Sequence, residues 1–412
     1  MQSRLFAPLV LLLAFVCGIA EAGERALHLS EVDQLVGERN RVLIAARRAS
    51  EAGEAGVVMA GARPNPVVSL NSSGLNSRRP ANAGNLDTIL RIDQTVERGG
   101  KRDLRLAVAD ALLQANHADE SDSLRQQRLL ARQTYFDLKA AEERARLASE
   151  SARLARQVLT KAELRLKAGD LSPADVARIR TDALKAESDA TQARVDHHRA
   201  RQALAYLLAL EGEAFSLTTA DPWPAFGPLP AAGQAIEERP DVLAARRRLE
   251  AAERAISLAR SQQVRDVTIG AQLERAPNTV GNPVYGLGVS MPLFTGYDFR
   301  GEIQRAHVYR DAANDELERL RANAAAEFAQ AAFEAERLGE RARSLREEAL
   351  PAAQKAHAAV QLAFSQGAAS VLDVIDARRS LYAIESDTAG AQADAAKARA
   401  AWAAAINRPD LP

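Results

Sequence analysis

Sulfur chemistry is nearly absent from this chain: one of its 412 residues is cysteine, Cys17. It lies in an N-terminal stretch that reads as a secretory signal. Arg4 is followed by an apolar run over residues 5–20 and by the small-x-small triplet Ala20-Glu21-Ala22. Residues 1–22 are therefore read as a signal peptide, and cleavage there removes every disulfide, thiolate metal site and cysteine nucleophile. Lipid attachment at Cys17 is the alternative, although Ala14-Phe15-Val16 is a poor lead-in for it. No later run is long and apolar enough for a transmembrane helix. Aromatic residues make up only 4% of the chain, and its 54 Lys and Arg balance 54 Asp and Glu. That balance gives no basic footprint for nucleic acid.

Proline and glycine are missing from residues 101–168, a run that as one helix would be about 100 Å long. Gly169 ends it. Ser172, Pro173 and Asp175 then have the spacing of an N-cap, a first helical position and a first-turn carboxylate. The whole motif returns about 200 residues later, far beyond the period of about 20–50 residues that marks a solenoid. Gly169-Asp170-Leu171-Ser172-Pro173-Ala174-Asp175-Val176 is matched by Gly367-Ala368-Ala369-Ser370-Val371-Leu372-Asp373-Val374. Glu187-Ser188-Asp189 and Glu385-Ser386-Asp387 extend the match. The chain thus divides into a first repeat (23–216), a Pro/Gly-rich linker (217–238) and a second repeat (239–412).

Each repeat has the order helix, strand, strand, long helix, turn, helix. The first predicts a helix over residues 30–60 and strands at 66–75 and 86–97. The second predicts a helix over 239–263, strands at 264–275 and 284–294, and a long helix over 301–366 that Pro351 should kink. Ser370 caps the last helix, which runs to about residue 406.

Apolar residues in the long helices alternate in steps of three and four. Leu138, Ala141, Ala145, Ala148, Ala152, Ala155, Leu159, Ala162 and Leu166 form one seam. Ala335, Leu338, Ala342, Leu345, Ala349, Ala352, Ala356, Ala359 and Ala363 form the other. This is the coiled-coil period, and it leaves open whether the helices make a hairpin or a closed tube. The strands alternate cleanly: Val267, Ile269, Ala271 and Leu273 share one face, Thr268, Gly270, Gln272 and Glu274 the other. A small soluble sheet with one wet face fits this pattern. So does a strand crossing a bilayer, but four strands cannot close a membrane barrel, which takes at least about eight. Several chains would then have to share one.

Together these features resemble the TolC-type outer-membrane factors, the exit channels of tripartite efflux systems. The resemblance covers essentially the whole mature chain and is most specific over Phe364-Ser365-Gln366-Gly367-Ala368-Ala369-Ser370-Val371-Leu372-Asp373-Val374-Ile375-Asp376-Ala377. It implies a mainly α protein with a small β part. Three copies would form an outer-membrane β-barrel continued by a periplasmic α-helical barrel. It also implies no enzymatic activity, no cofactor, and as partners a periplasmic adaptor protein and an inner-membrane RND-type pump. Thr95-Val96-Glu97-Arg98-Gly99-Gly100-Lys101-Arg102 is similar to the CzcC-like heavy-metal branch, and divalent heavy-metal cations are the expected cargo. Leu293-Phe294-Thr295-Gly296-Tyr297-Asp298 looks more like the general family, so an organic-compound channel or a type I secretion duct stays open. A soluble periplasmic coiled-coil adaptor is a further alternative, against which the barrel-length strands argue.

By the same resemblance the tip holds the adaptor-docking residues Gly169, Leu171, Ser172, Gly367 and Ser370, and the gate residues Asp373, Asp376, Asp175 and Phe364. Threefold carboxylate rings there would concentrate cations. Asp373 and Asp175 have a competing reading as helix-start carboxylates. Ala369 departs from the pattern, since some members carry an arginine there. His28, His117, His197, His198, His307, His357, Met59 and Met291 suggest no metal site. The adjacent His197 and His198 point in different directions and read as solvated helix-face residues.

Overall fold

The computed structural model describes residues 24–74, 86–230, 236–275 and 282–408. The signal segment with Cys17, most of each strand-joining loop, residues 231–235 and the last four residues lie outside the described residues.

Two long antiparallel hairpins of helices dominate the molecule. In the first half, α2 (Arg41–Gly61) leads to β2 (Val67–Ser73), β3 (Asp87–Val96), α3 (Lys101–Lys167) and α4 (Pro173–Leu208). In the second, α5 (Pro240–Ser261) leads to β5 (Val267–Arg275), β6 (Val284–Ser290), α6 (Arg300–Ser344), α7 (Leu350–Ser365) and α8 (Val371–Ala405). Two further elements, β1 (Arg25–Leu27) and α1 (Leu29–Arg39), precede the first half. At 67 residues, α3 spans about 100 Å. No helix among the described residues is long and apolar enough to cross a membrane.

Several elements differ from the sequence reading for local physical reasons. The helix expected over residues 30–60 is broken at Asn40, whose side-chain oxygen accepts from the N–H groups of Val42 (2.9 Å) and Leu43 (3.2 Å) and so starts α2. The segment read as the start of the linker opens with β4 (Leu217–Thr219), which pairs in parallel with β1. Neither short strand has an alternation long enough to read. The disturbance expected at Pro351 is a single π turn over Leu345–Ala349, where the Leu350 N–H bonds the Leu345 carbonyl. One extra residue in that turn shifts the seam. Ala335 and Ala342 are buried as expected, but Ala352, Ala356 and Ala359 face outward, and Ala353, His357 and Val360 take the half-buried positions. The first seam has no such insertion, and all nine of its residues are buried or half-buried.

The main core lies where β1, α1 and β4 pack on α3, α4 and α8. Leu27, Val36, Tyr135, Leu138, Leu204, Leu208 and Leu217 are fully buried there. Tyr135 is held at its hydroxyl by the Leu27 carbonyl (3.1 Å) and Asp221 (3.1 Å). Burial pushes this phenol up, well above its ordinary 10.0. Beyond this core α8 is buried almost all round from Thr388 to Ile406, because alanines allow neighbouring helices to approach closely.

The larger sheet has the order β2-β3-β5-β6, all antiparallel. Its two faces are chemically opposite. Leu70, Leu90, Leu273 and Tyr285 align across the four strands on one face, as do Val68, Ile92, Ala271 and Leu287. This apolar face is the exposed one: Leu287 is 91% and Leu70 68% accessible. On the other face Arg91, Asp93, Gln272 and Glu274 are half-buried and Gly270 is buried.

Asn40 also donates to the Leu207 carbonyl at 3.1 Å, tying α2 to α4. Asn40→Ala should remove cap and tether together and lower stability by about 1–2 kcal/mol. Asn40→Asp, which keeps the cap acceptor but cannot donate to the Leu207 carbonyl, should recover at most the cap's share of that loss in thermal unfolding of the detergent-extracted protein.

Candidate functional site at the tip turns

Both long helices end in the same way. Gly169 has φ +82 and Gly367 φ +78, the left-handed region that favours glycine. The Gly169 N–H bonds Leu166 O and the Asp170 N–H bonds Arg165 O; Gly367 and Ala368 repeat this with Phe364 O and Ala363 O. These paired bonds satisfy the last helical carbonyls. A Cβ at either glycine would meet no atom within 4 Å, so backbone conformation and not space selects glycine here.

The following helices start on serine. The Asp175 N–H donates to Ser172 Oγ (3.1 Å), and Ser172 Oγ–H donates to Asp175 Oδ2 (2.7 Å). In the second turn the box is reciprocal. The Asp373 N–H donates to Ser370 Oγ (3.2 Å), while the Ser370 N–H donates back to Asp373 Oδ2 (2.8 Å). The bonds from Ser370 hold the Asp373 carboxyl below its ordinary 3.8. A lowered carboxylate stabilises above its unfolded value and stops doing so only as pH falls through the folded one. The box is therefore intact at neutral pH.

Asp376, one turn further on, is exposed and makes no hydrogen bond or ion pair among the described residues. Asp175 is partly exposed beside Arg178 at 3.8 Å. The two turns pack together through Ala162 of α3, Val176 and Ile179 of α4 and Ile375 of α8, with Leu171 and Val371 against them. Phe364 is half-buried and lines the groove between the turns with Leu171, Asp175, Ser370 and Leu372. Ala369 lines it too.

About 15 Å above the tip along α4 lies a cluster that the sequence reading missed. Asp182 is 6% and Arg378 7% exposed. Arg378 donates to Asp182 and, through its other terminal nitrogen, to Ser151 O (2.8 Å) and Ser151 Oγ (2.9 Å). Arg379 Nε adds a bond to Asp182 Oδ1 at 2.8 Å. This joins α8 of the second half to α3 and α4 of the first. The available signal was one aspartate in the otherwise apolar stripe Val176, Ile179, Ala183, Ala186, Ala190, facing an arginine one turn after Val374 and Ile375.

Among the described residues no three His, Cys, Asp or Glu side chains gather as a metal site. Of the adjacent histidines, His198 is exposed as expected and His197 is less solvated. His197 is largely buried with Nε2 3.8 Å from Glu142, and burial pushes its imidazole below the ordinary 6.5. His198 stacks on Phe215.

Removing one partner of a buried ion pair leaves an uncompensated charge, at a cost of about 3–5 kcal/mol. Asp182→Ala should therefore lower the thermal midpoint markedly. Arg379→Ala, which removes a partner 55% exposed, should change it little.

Comparison with known proteins follows the same architecture. The family described as "Outer membrane efflux protein" matches residues 231–408. The cobalt-zinc-cadmium resistance protein CzcC of Cupriavidus metallidurans is 28% identical over 363 residues, 86% of this chain and 84% of that protein. The pyoverdine export outer membrane protein OpmQ of Pseudomonas putida is 27% identical over 271 residues, 63% of this chain and 57% of that protein. The Campylobacter jejuni CmeC outer membrane channel superposes with a TM-score of 0.80 at 15% identity, covering 92% of this chain and 86% of that one. In sequence over its second half, and in fold over most of its length, the chain is similar to outer membrane efflux proteins.

Proposed function

We propose that three copies of this chain form one duct, with twelve strands closing a barrel in the outer membrane and twelve helical segments lining a tunnel across the periplasm. The observation that carries this reading is the inverted sheet. Its apolar face is turned outward, and among the described residues the outer edges of β2 and β6 have no partner strand. A lipid-facing sheet must pair every backbone group, and four strands are too few to close alone. The similarity to outer membrane efflux proteins supports reading the chain as an outer-membrane efflux channel rather than an enzyme. Energy for export would come from an inner-membrane RND-type pump, reached through a periplasmic adaptor that docks on Gly169, Leu171, Ser172, Gly367 and Ser370. Native mass measurement in detergent should give a trimer. A stable monomer extracted into aqueous buffer without detergent would overturn the reading.

The proposed cargo is divalent heavy-metal cations, supported by the similarity to CzcC and by the segment from Thr95 to Arg102. The similarity to OpmQ supports the second reading, export of organic compounds. A duct needs no multidentate metal site, since a tightly held ion would leave slowly. Deleting the gene should sensitise cells to cobalt, zinc or cadmium; sensitivity to organic compounds alone would favour the second reading.

Within the trimer we place the gate at Asp376, Asp373, Asp175 and Phe364. Of the carboxylates only Asp376 is free of a capping role, so it is the group best placed to attract cations. Asp376→Asn should reduce cation selectivity and divalent block in planar bilayers while assembly stays normal. Asp373→Asn keeps an acceptor but loses charge at the cap, and should loosen the turn as well. Unchanged selectivity and block in Asp376→Asn would make that residue a solvated surface charge.

A further inference from the structure

The polar face of the four-stranded sheet carries its own charged row. Arg91 and Asp93 are two residues apart on β3 and so share a face. Arg91 Nε donates to both Asp93 oxygens, at 2.9 and 2.7 Å, and Arg91 Nη1 to Gln272 Oε1 at 3.3 Å. Across the sheet Arg91 aligns with Gln272 and then Gly286, and Asp93 with Gly270 and then Gly288. A Cβ at Gly270 would run into Asp93 Oδ1 and stand 2.8 Å from Arg91 Nη2. One at Gly286 would stand 2.9 Å from Gln272 Cγ, and one at Gly288 3.4 Å from Arg91 Nη2.

Glycine weakens a strand, and inside one it marks a close approach by another group. Here the approaching group is the Arg91–Asp93 pair. The guanidinium lies over β5 and reaches β6 in a furrow that Gly270 and Gly288 keep open, while Gly286 makes room for the Gln272 side chain that Arg91 bonds. The pair is accessible to solvent, with Arg91 30% and Asp93 24% exposed. Mutual neutralisation leaves this row neither a bare carboxylate to trap a cation nor a bare guanidinium to repel one.

We propose that Arg91 and Asp93 form a charge-compensated belt around the barrel lumen that sets its ion selectivity, a specificity element separate from the tip. The inference rests on the trimeric duct, in which three such pairs would stand at one level of the bore. Its consequence is that unmasking either charge makes the barrel selective. In planar bilayers under a salt gradient, Arg91→Gln should shift the reversal potential towards cations and Asp93→Asn towards anions. Each permeability ratio should change by about threefold or more, as expected for three unscreened charges in a narrow aqueous bore. Arg91→Gln should also introduce block by zinc ions. The double variant Arg91→Gln/Asp93→Asn should return close to the parent. Gln272→Glu leaves the pair in place and adds a carboxylate on the same row, so it should move selectivity towards cations even if a single variant fails to assemble.

Equal ratios in the parent and in all assembled variants, Gln272→Glu included, would overturn the belt while leaving the duct standing. Single variants that shift in the same direction would overturn it as well. A parent protein that forms no channel would overturn the duct and the belt together.

Discussion

Unpaired backbone groups along the outer edges of β2 and β6 are the constraint on which the rest of this molecule depends. A sheet that turns most of its apolar residues outward could not leave those edges bare inside lipid, because each unsatisfied N–H or carbonyl costs several kcal/mol there. In the proposed trimer, closing the sheet with other copies would satisfy the edges and make the polar face the wall of a bore. The burial pattern fits this: Gly270 is buried and Gln272 and Glu274 are half-buried on the face a soluble sheet would leave wet.

The helices carry the same arrangement away from the sheet. Alanine dominates the contact seams, so hydrophobic burial per residue is modest and is spread over about 100 Å of helix. Larger anchors appear only at intervals. Tyr135, Phe136 and Leu138 fix the middle of α3 to the short β1–β4 pair. Trp402 and Ile406 fix the end of α8 to α6. The Asp182–Arg378–Ser151 cluster fixes α8 to the first hairpin above the tip. Below that cluster only the small apolar patch around Ile179 and Ile375 holds the two turns together.

Charge is used differently at three levels. At the sheet Arg91 and Asp93 cancel within hydrogen-bond distance. In the helical body Asp182 is neutralised by two arginines and works as a fastener. At the tip the Asp373 carboxylate is committed to a helix start, whereas Asp376 is left facing solvent. The two tip aspartates differ by three positions and one function: the capping box needs a carboxylate three residues after the serine and none further on.

The sequence by itself determined the duplicated order of elements, the long helices and their glycine ends, and the strand alternation. Each of these is set by local periodicity or by the conformational needs of single residues such as Gly169 and Ser370. It also showed that Asp373 had two competing readings. The tertiary structure decided what depends on how distant elements meet. The β1–β4 pair joins segments nearly two hundred residues apart. One added residue in the π turn moved the second seam from Ala352 and Ala356 to Ala353 and His357, because a helical face turns about 100° with each residue. Asp182 found Arg378, and Arg91 found its glycine furrow, only through helix packing and strand register. No local pattern encodes those partners, since each pairing joins residues from different halves of the chain.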